Sequence, residues 1–319
     1  MRKLYITRKL PEEVLTKLSA SFSIRMWDKE DQPVPRHTLE KEVEDIDGLL
    51  CLLTDNIDSH LISKSKKLKI ISNMAVGYNN IDMEAANERN IMVTNTPGVL
   101  TETTADLTFA LLMATARRLV ESSNYLRDGN WKTWSLMMLT GQDIFGATLG
   151  IIGLGNIGEA VARRAQGFSM KTLYYNRSRK YDVEKELNII YTDLETLLKE
   201  SDFVCVMTPY TKETEHLIGK EQLGLMKESA ILINTARGGI VDEQALYEAL
   251  KSKKIWGAGL DVIEKEPIDL NHSLLTLPNV ILLPHIGSAS VKTRTAMADI
   301  AVTNLINGLT GEGTIHLVK

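Results

Sequence analysis

The sequence predicts an α/β fold of two doubly wound domains, each built on a parallel sheet, and three observations support this fold class. Short β-branched or aliphatic runs alternate with helical stretches from one end of the 319-residue chain to the other. These runs are continuously apolar rather than alternating, as is typical of parallel strands that helices cover on both faces. The chain is also long enough for two domains of ordinary size, each with its own core.

Ten strands are predicted, and the helical segments between them suit βαβ units with right-handed crossovers. In chain order they are LYIT from Leu4, GLLCLL from Gly48, KIISN from Lys69, IMVTN from Ile91, TLGIIG from Thr148, TLYYN from Thr172, FVCVM from Phe203, AILINT from Ala230, GAGLDV from Gly257 and NVILLP from Asn279.

One segment departs from this alternation. A single long helix is predicted from Thr101 to Asp128, with the capping sequence TETT at its start. The irregular sequence GNWKTWSLMMLTGQDI follows it, and Trp and Met concentrated in such a segment are typical of a binding surface. We therefore expect a homodimer interface here. The alternative is that the large side chains pack in the core of their own chain; they are Trp131, Trp134, Met137 and Met138.

The composition argues against several classes of protein. A net charge of -4 lacks the basic footprint that binding to nucleic acid or an anionic membrane requires. Cys51 and Cys205 each lie in an apolar run without the paired spacing of a metal or redox site, so we expect two buried thiols and no metal. The first residues have no apolar signal-peptide region, and no apolar run is long enough to span a membrane. We expect a cytoplasmic protein.

The strongest local motif is GLGNIG at Gly153 to Gly158, between a predicted strand and a predicted helix. This context is the one that a dinucleotide-binding Rossmann unit requires. Gly153 permits the tight turn, Gly155 lets the backbone approach the pyrophosphate, and Gly158 lets the helix pack closely on the sheet. The N–H groups and dipole at the helix start, beginning with Asn156 and Ile157, then face the phosphates.

The next strand predicts which dinucleotide is bound. An NAD site usually places Asp or Glu at the end of this strand, where it accepts hydrogen bonds from the ribose hydroxyls. The chain instead has Asn176, Arg177, Ser178 and Arg179. Because a 2′-phosphate prefers such donors and a carboxylate would repel it, we expect NADP, with NADPH preferred over NADH. The alternative is that the arginines belong to a solvated loop.

Three later segments place reactive side chains near the ends of predicted strands. Arg237 and His285 directly follow strands, and Glu266 lies a few residues beyond GAGLDV. Ligands in open α/β sheets lie at these carboxyl ends. A histidine can donate a proton near neutral pH, a carboxylate beside it favours the imidazolium, and a guanidinium can bind a substrate carboxylate. The set therefore suits hydride transfer to a 2-oxo acid.

Six sequence segments, in order along most of the chain, resemble the D-isomer-specific 2-hydroxyacid dehydrogenase family. They are VGYNNID from Val76, the helix TETTADLTFALLMATARR, GLGNIG, NTARGG, GLDVIEKEP and PHIGSAS. The resemblance implies that Arg237 binds substrate, that Glu266 is the partner of the histidine, and that His285 is the acid–base.

The resemblance also implies a domain organisation. Residues 1–98 and 291–319 would form a discontinuous, flavodoxin-like substrate-binding domain. Residues 99–290 would form the NADP-binding Rossmann domain, with the dimerisation helix and the Trp-bearing arm.

Further binding residues complete the expected site. The resemblance implies that the Val76–Gly77 backbone holds the substrate carboxylate and that Asp261 lies near the nicotinamide carboxamide. Leu53 and Ser288 are expected to contact substrate, with Trp134 reaching in from the partner chain; Leu52 and Met74 either line the pocket or belong to the core. The remaining cofactor contacts are expected at Thr104, Thr208, Pro209, Thr235, Ala236 and Gly287.

Within the family, the segments NRSR and WKTW make the chain most similar to the branch of glyoxylate/hydroxypyruvate reductases and 2-ketogluconate reductases. Glu266 argues against the formate dehydrogenase branch, which uses Gln at the corresponding position. We expect hydroxypyruvate to be preferred to glyoxylate. The open alternatives are 2-ketogluconate, D-lactate or a longer acid as substrate, and, in another class, a cofactor-sensing corepressor.

Overall fold

The computed structural model describes residues 1–19, 21–313 and 315–318 and divides the chain into two compact units. The five-stranded unit comprises Met1–Leu100 and Ser288–Lys319, and the seven-stranded unit comprises Thr101–Gly287. The predicted domain boundaries, after residue 98 and before residue 291, differ from these by a few residues. The assignment of one domain to substrate and the other to cofactor stays a prediction at this point.

Within the described residues the chain forms twelve strands and twelve α-helices. The strands are β1 (Arg2–Ile6), β2 (Phe22–Met26), β3 (Gly48–Cys51), β4 (Ile70–Asn73), β5 (Met92–Thr94), β6 (Thr148–Ile152), β7 (Lys171–Tyr175), β8 (Ile190–Tyr191), β9 (Phe203–Val206), β10 (Ile231–Asn234), β11 (Gly257–Leu260) and β12 (Val280–Leu282). The helices are α1 (Glu12–Ser19), α2 (Arg36–Glu42), α3 (Ser59–Lys64), α4 (Met83–Glu88), α5 (Thr101–Ala116), α6 (Leu119–Arg127), α7 (Asn156–Gln166), α8 (Tyr181–Leu187), α9 (Leu194–Glu200), α10 (Lys220–Leu225), α11 (Glu243–Lys251) and α12 (Val291–Thr310).

The five-stranded unit has the strand order β2-β1-β3-β4-β5, and each pairing between these strands is parallel. The final helix α12 returns to this sheet, where it packs on α1 and on β3 and β4. The hydroxyl of Ser72 in β4 donates to the carbonyl of Ala301 in α12 at 2.8 Å. Helix α12 therefore belongs to the same compact unit as the first hundred residues.

The seven-stranded unit has the strand order β12-β11-β10-β9-β6-β7-β8, again with parallel pairing throughout. The central strands β9 and β10 are fully buried, as their continuous apolar runs FVCV and ILIN predict. Helices cover both faces and form two core clusters, one on each side of the sheet. The predicted fold class, two doubly wound parallel-sheet domains, is confirmed.

Two strands escape the sequence prediction. β2 (FSIRM) alternates between apolar and polar residues and lies at the edge of its sheet, where one side meets solvent. β8 has two residues and forms one edge of the other, seven-stranded sheet. Because edge strands need no continuous apolar run, a search for such runs does not detect them.

The prediction of one long helix from Thr101 to Asp128 is wrong. The helix ends at Ala116, Arg118 takes a left-handed backbone with φ 53°, and α6 starts at Leu119. Gln142 donates its N–H to the carbonyl of Ala116 at 2.9 Å, and a Cβ on Gly141 would lie 2.1 Å from that carbonyl oxygen. The returning segment therefore occupies the place where the next helical turn would form.

The two cysteines lie in strands, as predicted, and both thiols are free and buried. Burial raises the pKa of Cys205 to about 12 and raises that of Cys51 well above its usual value. Among the described residues no group of three or more His, Cys, Asp or Glu side chains is placed to bind a metal ion. None of the described helices is both long and apolar enough to cross a membrane.

Candidate active site

The glycine-rich turn after β6 has the geometry that its sequence predicts. Gly153 has φ +99°, and a Cβ there would lie 2.7 Å from the backbone nitrogen of Thr208. A Cβ on Gly158 would lie 2.4 Å from the carbonyl oxygen of Gly153. These two glycines therefore allow the turn to close against the start of the helix and against the segment after β9, which carries Thr208 and Pro209.

Gly155 serves a different purpose, because a Cβ on it would meet nothing within 4 Å. It is the N-cap of α7, and no side chain caps this helix. Among the described residues the N–H groups of Asn156 and Ile157 find no acceptor. An open space beside free N–H groups at a helix N-terminus suits the pyrophosphate of a dinucleotide.

The turn after β7 holds the residues predicted to choose between dinucleotides. The Asn176 side-chain amide donates to the carbonyl of Ser178 at 2.9 Å and so tightens the turn. Arg179 donates two hydrogen bonds of 2.8 Å to Glu184 and lies over the rings of Tyr181 and Tyr191.

Arg177 and Ser178 are exposed at the same turn. The pKa of Glu213 is lowered by a hydrogen bond with Thr211 and by the charges of Arg177 and Lys212. The charge of Arg177 therefore acts on the Glu213 carboxylate, but among the described residues Arg177 is not held in a bidentate pair, as Arg179 is. Of the two arginines, Arg177 is the one whose guanidinium can turn to an incoming anion.

The loop after β10 places Arg237 by means of its neighbours. Asn234, at the end of the strand, accepts the N–H of Ala236 at 3.0 Å and donates to the carbonyl of Arg237 at 2.8 Å. Thr235 shares a 2.7 Å hydrogen bond with Thr108 of α5. A Cβ on Gly238 would lie 1.9 Å from the carbonyl carbon of Ile263, so this loop lies directly against the turn that follows β11.

Burial lowers the pKa of the Arg237 guanidinium, and the charge of Glu266 opposes this shift. Its Nη1 donates to the carbonyl of Ala236 at 2.7 Å. Because the ordinary pKa of arginine lies far above neutral pH, the side chain keeps its charge in spite of this shift. A half-buried cation in this position can bind an anionic ligand.

His285 and Glu266 form a hydrogen-bonded pair, with Nδ1 of the ring 2.7 Å from Oε2 of the carboxylate. The other carboxylate oxygen accepts the N–H of Ile263 at 3.3 Å. Nε2 of His285 makes no hydrogen bond within the part of the chain that the structure describes. The backbone of His285 is left-handed, with φ 54°, a conformation that is rare outside functional sites and turns.

Asp261 fixes the turn that carries His285. Its two carboxylate oxygens accept the N–H groups of Ile286 and Gly287, each at 2.7 Å. Burial raises the pKa of Asp261, while these two hydrogen bonds and the charge of His285 lower it. A Cβ on Gly287 would lie 3.2 Å from Asp261 and 3.3 Å from the side chain of Thr104 in α5. Five predicted residues of the seven-stranded unit therefore lie in one connected group: Arg237, Glu266, His285, Asp261 and Gly287.

The five-stranded unit holds the other predicted substrate contacts. The carbonyls of Val76 and Gly77 accept hydrogen bonds from the side chains of Asn95, at 2.9 Å, and Asn73, at 2.8 Å. No acceptor is found among the described residues for the N–H groups of Val76 and Gly77. A peptide pair with its carbonyls held and its N–H groups unengaged is suited to a carboxylate.

Leu52, Leu53 and Met74 are half-buried in this unit, and Ser288 is half-buried as well. Of the three apolar residues, Met74 packs against a core cluster. The carbonyl of Leu52 accepts the side-chain amide of Asn80 at 3.1 Å. The sequence prediction missed these buried and half-buried asparagines. Asn73 and Asn95 are each the last residue of a predicted strand segment, KIISN and IMVTN, and that position is the signal that would have identified them.

The arm after α6 is exposed within the chain. Trp134 is 72% exposed, and the neighbouring apolar side chains are similarly open to solvent: Trp131, Leu136, Met137 and Phe145. The alternative prediction, that the arm's large side chains pack in the core of their own chain, is wrong for Trp131, Trp134 and Met137. The cost of exposing so much apolar surface favours a covering partner.

The fold and the connected group define the class of protein. Residues 109–287 match the model of the D-isomer specific 2-hydroxyacid dehydrogenase NAD-binding domain. The chain belongs to the D-isomer-specific 2-hydroxyacid dehydrogenase family, as its sequence segments predict. It is an oxidoreductase that acts on CH–OH groups, and its seven-stranded unit is the NAD(P)-binding domain.

Individual relatives resemble the whole chain. A glyoxylate reductase of Korarchaeum cryptofilum (strain OPF8) is 52% identical over 99% of this chain and 96% of its own length. A solved structure of a Thermus thermophilus protein has a TM-score of 0.92 at 45% identity, covering 99% of this chain and 100% of that one. An NADPH-dependent glyoxylate/hydroxypyruvate reductase of Sinorhizobium meliloti, solved with NADP and malonate, has a TM-score of 0.86 at 34% identity, covering 99% and 96%.

Proposed function

We propose that the protein reduces a small 2-oxo acid, glyoxylate or hydroxypyruvate, to the D-2-hydroxy acid with NADPH. The observation that supports this most strongly is the His285–Glu266 pair, which leaves Nε2 of the ring without a hydrogen bond among the described residues, in the same connected group as the half-buried Arg237. The relatives named as glyoxylate reductases support the choice of substrate. The bound dinucleotide supplies a hydride to the carbonyl carbon of the acid.

The proton comes from His285. As the hydride adds, negative charge develops on the carbonyl oxygen, and Nε2–H of the imidazolium donates a proton to it. The product hydroxyl thus contains the proton from His285, and the ring is left neutral. Glu266 accepts the hydrogen bond from Nδ1, which orients the ring and stabilises its charged form.

We propose one carboxylate-binding group in each of the two units. Arg237 is a half-buried cation whose guanidinium can bind the carboxylate and polarise the carbonyl. The N–H groups of Val76 and Gly77 are the second group, with their carbonyls fixed by Asn95 and Asn73. Leu53, Ser288 and the partner's Trp134 are proposed to contact the rest of the substrate.

Preference for NADPH follows from the turn after β7. Asn176 replaces the carboxylate that would repel a 2′-phosphate. Arg177 and Ser178 are exposed and can donate to the phosphate, while Arg179 holds the turn through Glu184. The Sinorhizobium meliloti relative, which is NADPH-dependent, supports this proposal.

We also propose that two chains form a two-fold homodimer. The support is the exposed apolar arm from Trp131 to Phe145, together with Leu119, Val120 and Leu126 on α6. Such contiguous apolar exposure is typical of an interface, and closed two-fold assembly is the commonest solution.

The function is tested by assaying a panel of 2-oxo acids with NADPH and with NADH. The panel contains glyoxylate, hydroxypyruvate, 2-ketogluconate, pyruvate and a longer branched acid. Turnover of glyoxylate and hydroxypyruvate, with the lower KM for NADPH, supports the proposal. Robust activity on 2-ketogluconate or pyruvate alone would assign that acid as the substrate in place of glyoxylate and hydroxypyruvate. A protein that binds the dinucleotide but turns over no acid in the panel favours the corepressor class.

A further inference from the structure

Glu266 belongs to a turn that has no regular secondary structure. Residues 262–266, here the 262–266 turn, follow β11, and Ile263 of this turn donates its N–H to Glu266 Oε1 at 3.3 Å. The place of the carboxylate therefore follows from the conformation of the turn. The Arg237 loop lies against the same turn through Gly238. Whatever fixes the 262–266 turn sets the positions of both Glu266 and Arg237.

Glu243, in the first turn of α11, makes a direct hydrogen bond to this turn. Its Oε1 accepts the N–H of Glu264 at 2.7 Å, and its Oε2 lies 3.1 Å from Nε2 of His272. The side chain of Glu243 is only 13% exposed, whereas carboxylates usually face water. Because both oxygens are engaged and shielded, Glu243 is a fixed acceptor rather than a solvated surface charge.

His272 orients this carboxylate. The N–H of Leu274 donates to Nδ1 of His272 at 3.3 Å, so Nδ1 is the acceptor and the ring proton lies on Nε2. Nε2–H then donates to Glu243. His272 directly precedes the 3₁₀ helix Ser273–Thr276 and caps it. One carboxylate therefore joins α11, the 262–266 turn and this short helix.

A second contact to the turn is weaker. The Glu264 carboxylate lies 2.9 Å from Nε2 of His216, but the two side chains are 40% and 49% exposed. An exposed pair of this kind contributes little to fixing a backbone. The Glu243–Glu264 hydrogen bond is made to the backbone itself by a side chain that is only 13% exposed, so it has the larger effect on the turn.

We propose that Glu243 is a positioning residue for the His285–Glu266 pair. This role rests on the function proposed above and adds a residue to its machinery. Glu243 accepts the N–H of Glu264 and so fixes the 262–266 turn. The turn in turn fixes Oε2 of Glu266, which lies against Nδ1 of His285. The charged groups that act on the pair are Asp261 and Arg237, and neither is replaced in the Glu243 variants.

The test compares Glu243→Ala and Glu243→Gln with Glu248→Ala, a replacement on the exposed side of the same helix. Glutamine keeps an acceptor for Glu264 but turns its NH₂ toward the Nε2–H of His272, so its effect should be intermediate. The titration of His285 is followed by NMR in protein labelled at its six histidines. Turnover, its pH profile, dinucleotide binding and the unfolding temperature are measured on the same samples.

We expect Glu243→Ala to lower the midpoint of the His285 titration and to move the alkaline limb of the reduction profile to lower pH by the same amount. Its kcat should fall about tenfold, less than the roughly 100-fold that an ångström of misplacement can cost. Dinucleotide binding should not change, and Glu248→Ala should match the parent. A lower unfolding temperature with the His285 midpoint and pH profile unmoved would overturn the proposal.

The NMR readout separates this proposal from the proposed function, because it needs no turnover. A parent protein without activity on 2-oxo acids, but with the midpoint shift in Glu243→Ala, contradicts the function and supports the positioning role. A parent protein that is active on 2-oxo acids, with no midpoint shift in Glu243→Ala, supports the proposed function and contradicts the positioning role. If Glu243→Ala does not fold, Glu243→Gln and His272→Gln give the same comparison, and unchanged midpoints in both overturn the positioning role.

Discussion

Nδ1 of His285 lies 2.7 Å from Oε2 of Glu266, while Nε2 of the same ring makes no hydrogen bond within the described residues. The two ring nitrogens therefore have separate tasks, since one is oriented by a carboxylate and the other is available to a reactant. The two side chains are 22% and 24% exposed, so the pair is partly shielded from solvent screening.

Glu266→Gln should shift the alkaline limb of the reduction pH profile to lower pH. Reduction needs the imidazolium, and the carboxylate stabilises that charged form. Removing the negative charge therefore makes the ring lose its proton at lower pH. The measurement is kcat/KM against pH at saturating NADPH. An unmoved alkaline limb would contradict the assignment of Glu266.

His285→Ala should lose roughly 100-fold or more in kcat, a typical size for the loss of a general acid. NADPH binding, followed by fluorescence titration, should remain close to that of the parent because the glycine-rich turn is unaltered. Full activity in this variant would mean that the proton comes from elsewhere.

Arg237→Lys should give an enzyme whose KM for the 2-oxo acid rises as the pH rises. Burial lowers the pKa of Arg237, but the ordinary pKa of a guanidinium is so high that the group keeps its charge. A lysine in the same surroundings starts near 10.4, so the same burial brings its loss of charge into the assay range. Arg237→Ala serves as the reference, with a raised KM and a lowered kcat at every pH. A KM for Arg237→Lys that does not vary with pH would contradict this prediction.

Asn176→Asp combined with Arg177→Ala should reverse the preference for NADPH over NADH. The new carboxylate repels a 2′-phosphate and accepts hydrogen bonds from a free ribose hydroxyl. The ratio of kcat/KM values should change by about tenfold or more, since a charge-assisted contact is lost.

Arg179→Ala is the informative control for that prediction. Arg179 is paired with Glu184, and this hydrogen bond lowers the pKa of the glutamate. Removal of Arg179 should loosen the turn and weaken the binding of NADPH and NADH to a similar extent. Removal of Arg177 should weaken the binding of NADPH more than that of NADH. Equal kcat/KM for NADPH and NADH in the unaltered protein would count against the whole assignment.

Light scattering at micromolar concentration should give twice the chain mass of 35.6 kDa. Leu136→Asp, on the exposed arm, should move the protein toward the monomer, because it places a charge in the proposed interface. Trp134→Ala should keep the dimer but raise the KM for the 2-oxo acid. A monomeric parent protein would contradict both expectations.

Gly153→Ala and Gly155→Ala should separate folding from binding. At Gly153 the backbone is left-handed and a Cβ would lie 2.7 Å from Thr208, so we expect a loss of about 2 kcal/mol or more in the free energy of unfolding. At Gly155 a Cβ meets open space, so stability should change little while the KM for the dinucleotide rises. Chemical denaturation and steady-state kinetics measure the two effects, and equal stability loss in both variants would contradict the assignment.

The parts of the fold that the sequence predicts are those encoded by local patterns. Continuous apolar runs identified the central strands, and GLGNIG identified the turn after β6. The break at Arg118 escaped prediction because it depends on Gly141 and Gln142, which lie more than twenty residues further along the chain. The local sequence around Arg118 gives no sign that the carbonyl of Ala116 accepts a hydrogen bond from a distant segment.

The sequence predicted the reactive residues of the site but not the residues that support them. Arg237, Glu266 and His285 follow strands and carry recognisable chemistry. Glu243 looks like an ordinary acidic residue at the start of a helix, and only the folded chain brings it to the N–H of Glu264. Arg179 likewise gave no sign of its bidentate partner Glu184.

The left-handed backbone at His285 restricts which replacements report on chemistry alone. Asparagine enters this conformation more readily than alanine does, because its short polar side chain can compensate the backbone locally. His285→Ala therefore removes the imidazole and also adds conformational strain to the turn that Asp261 holds. His285→Asn removes the imidazole while the turn stays relaxed. The difference in unfolding free energy between the two variants measures how much the backbone of this single residue contributes to holding the site in shape.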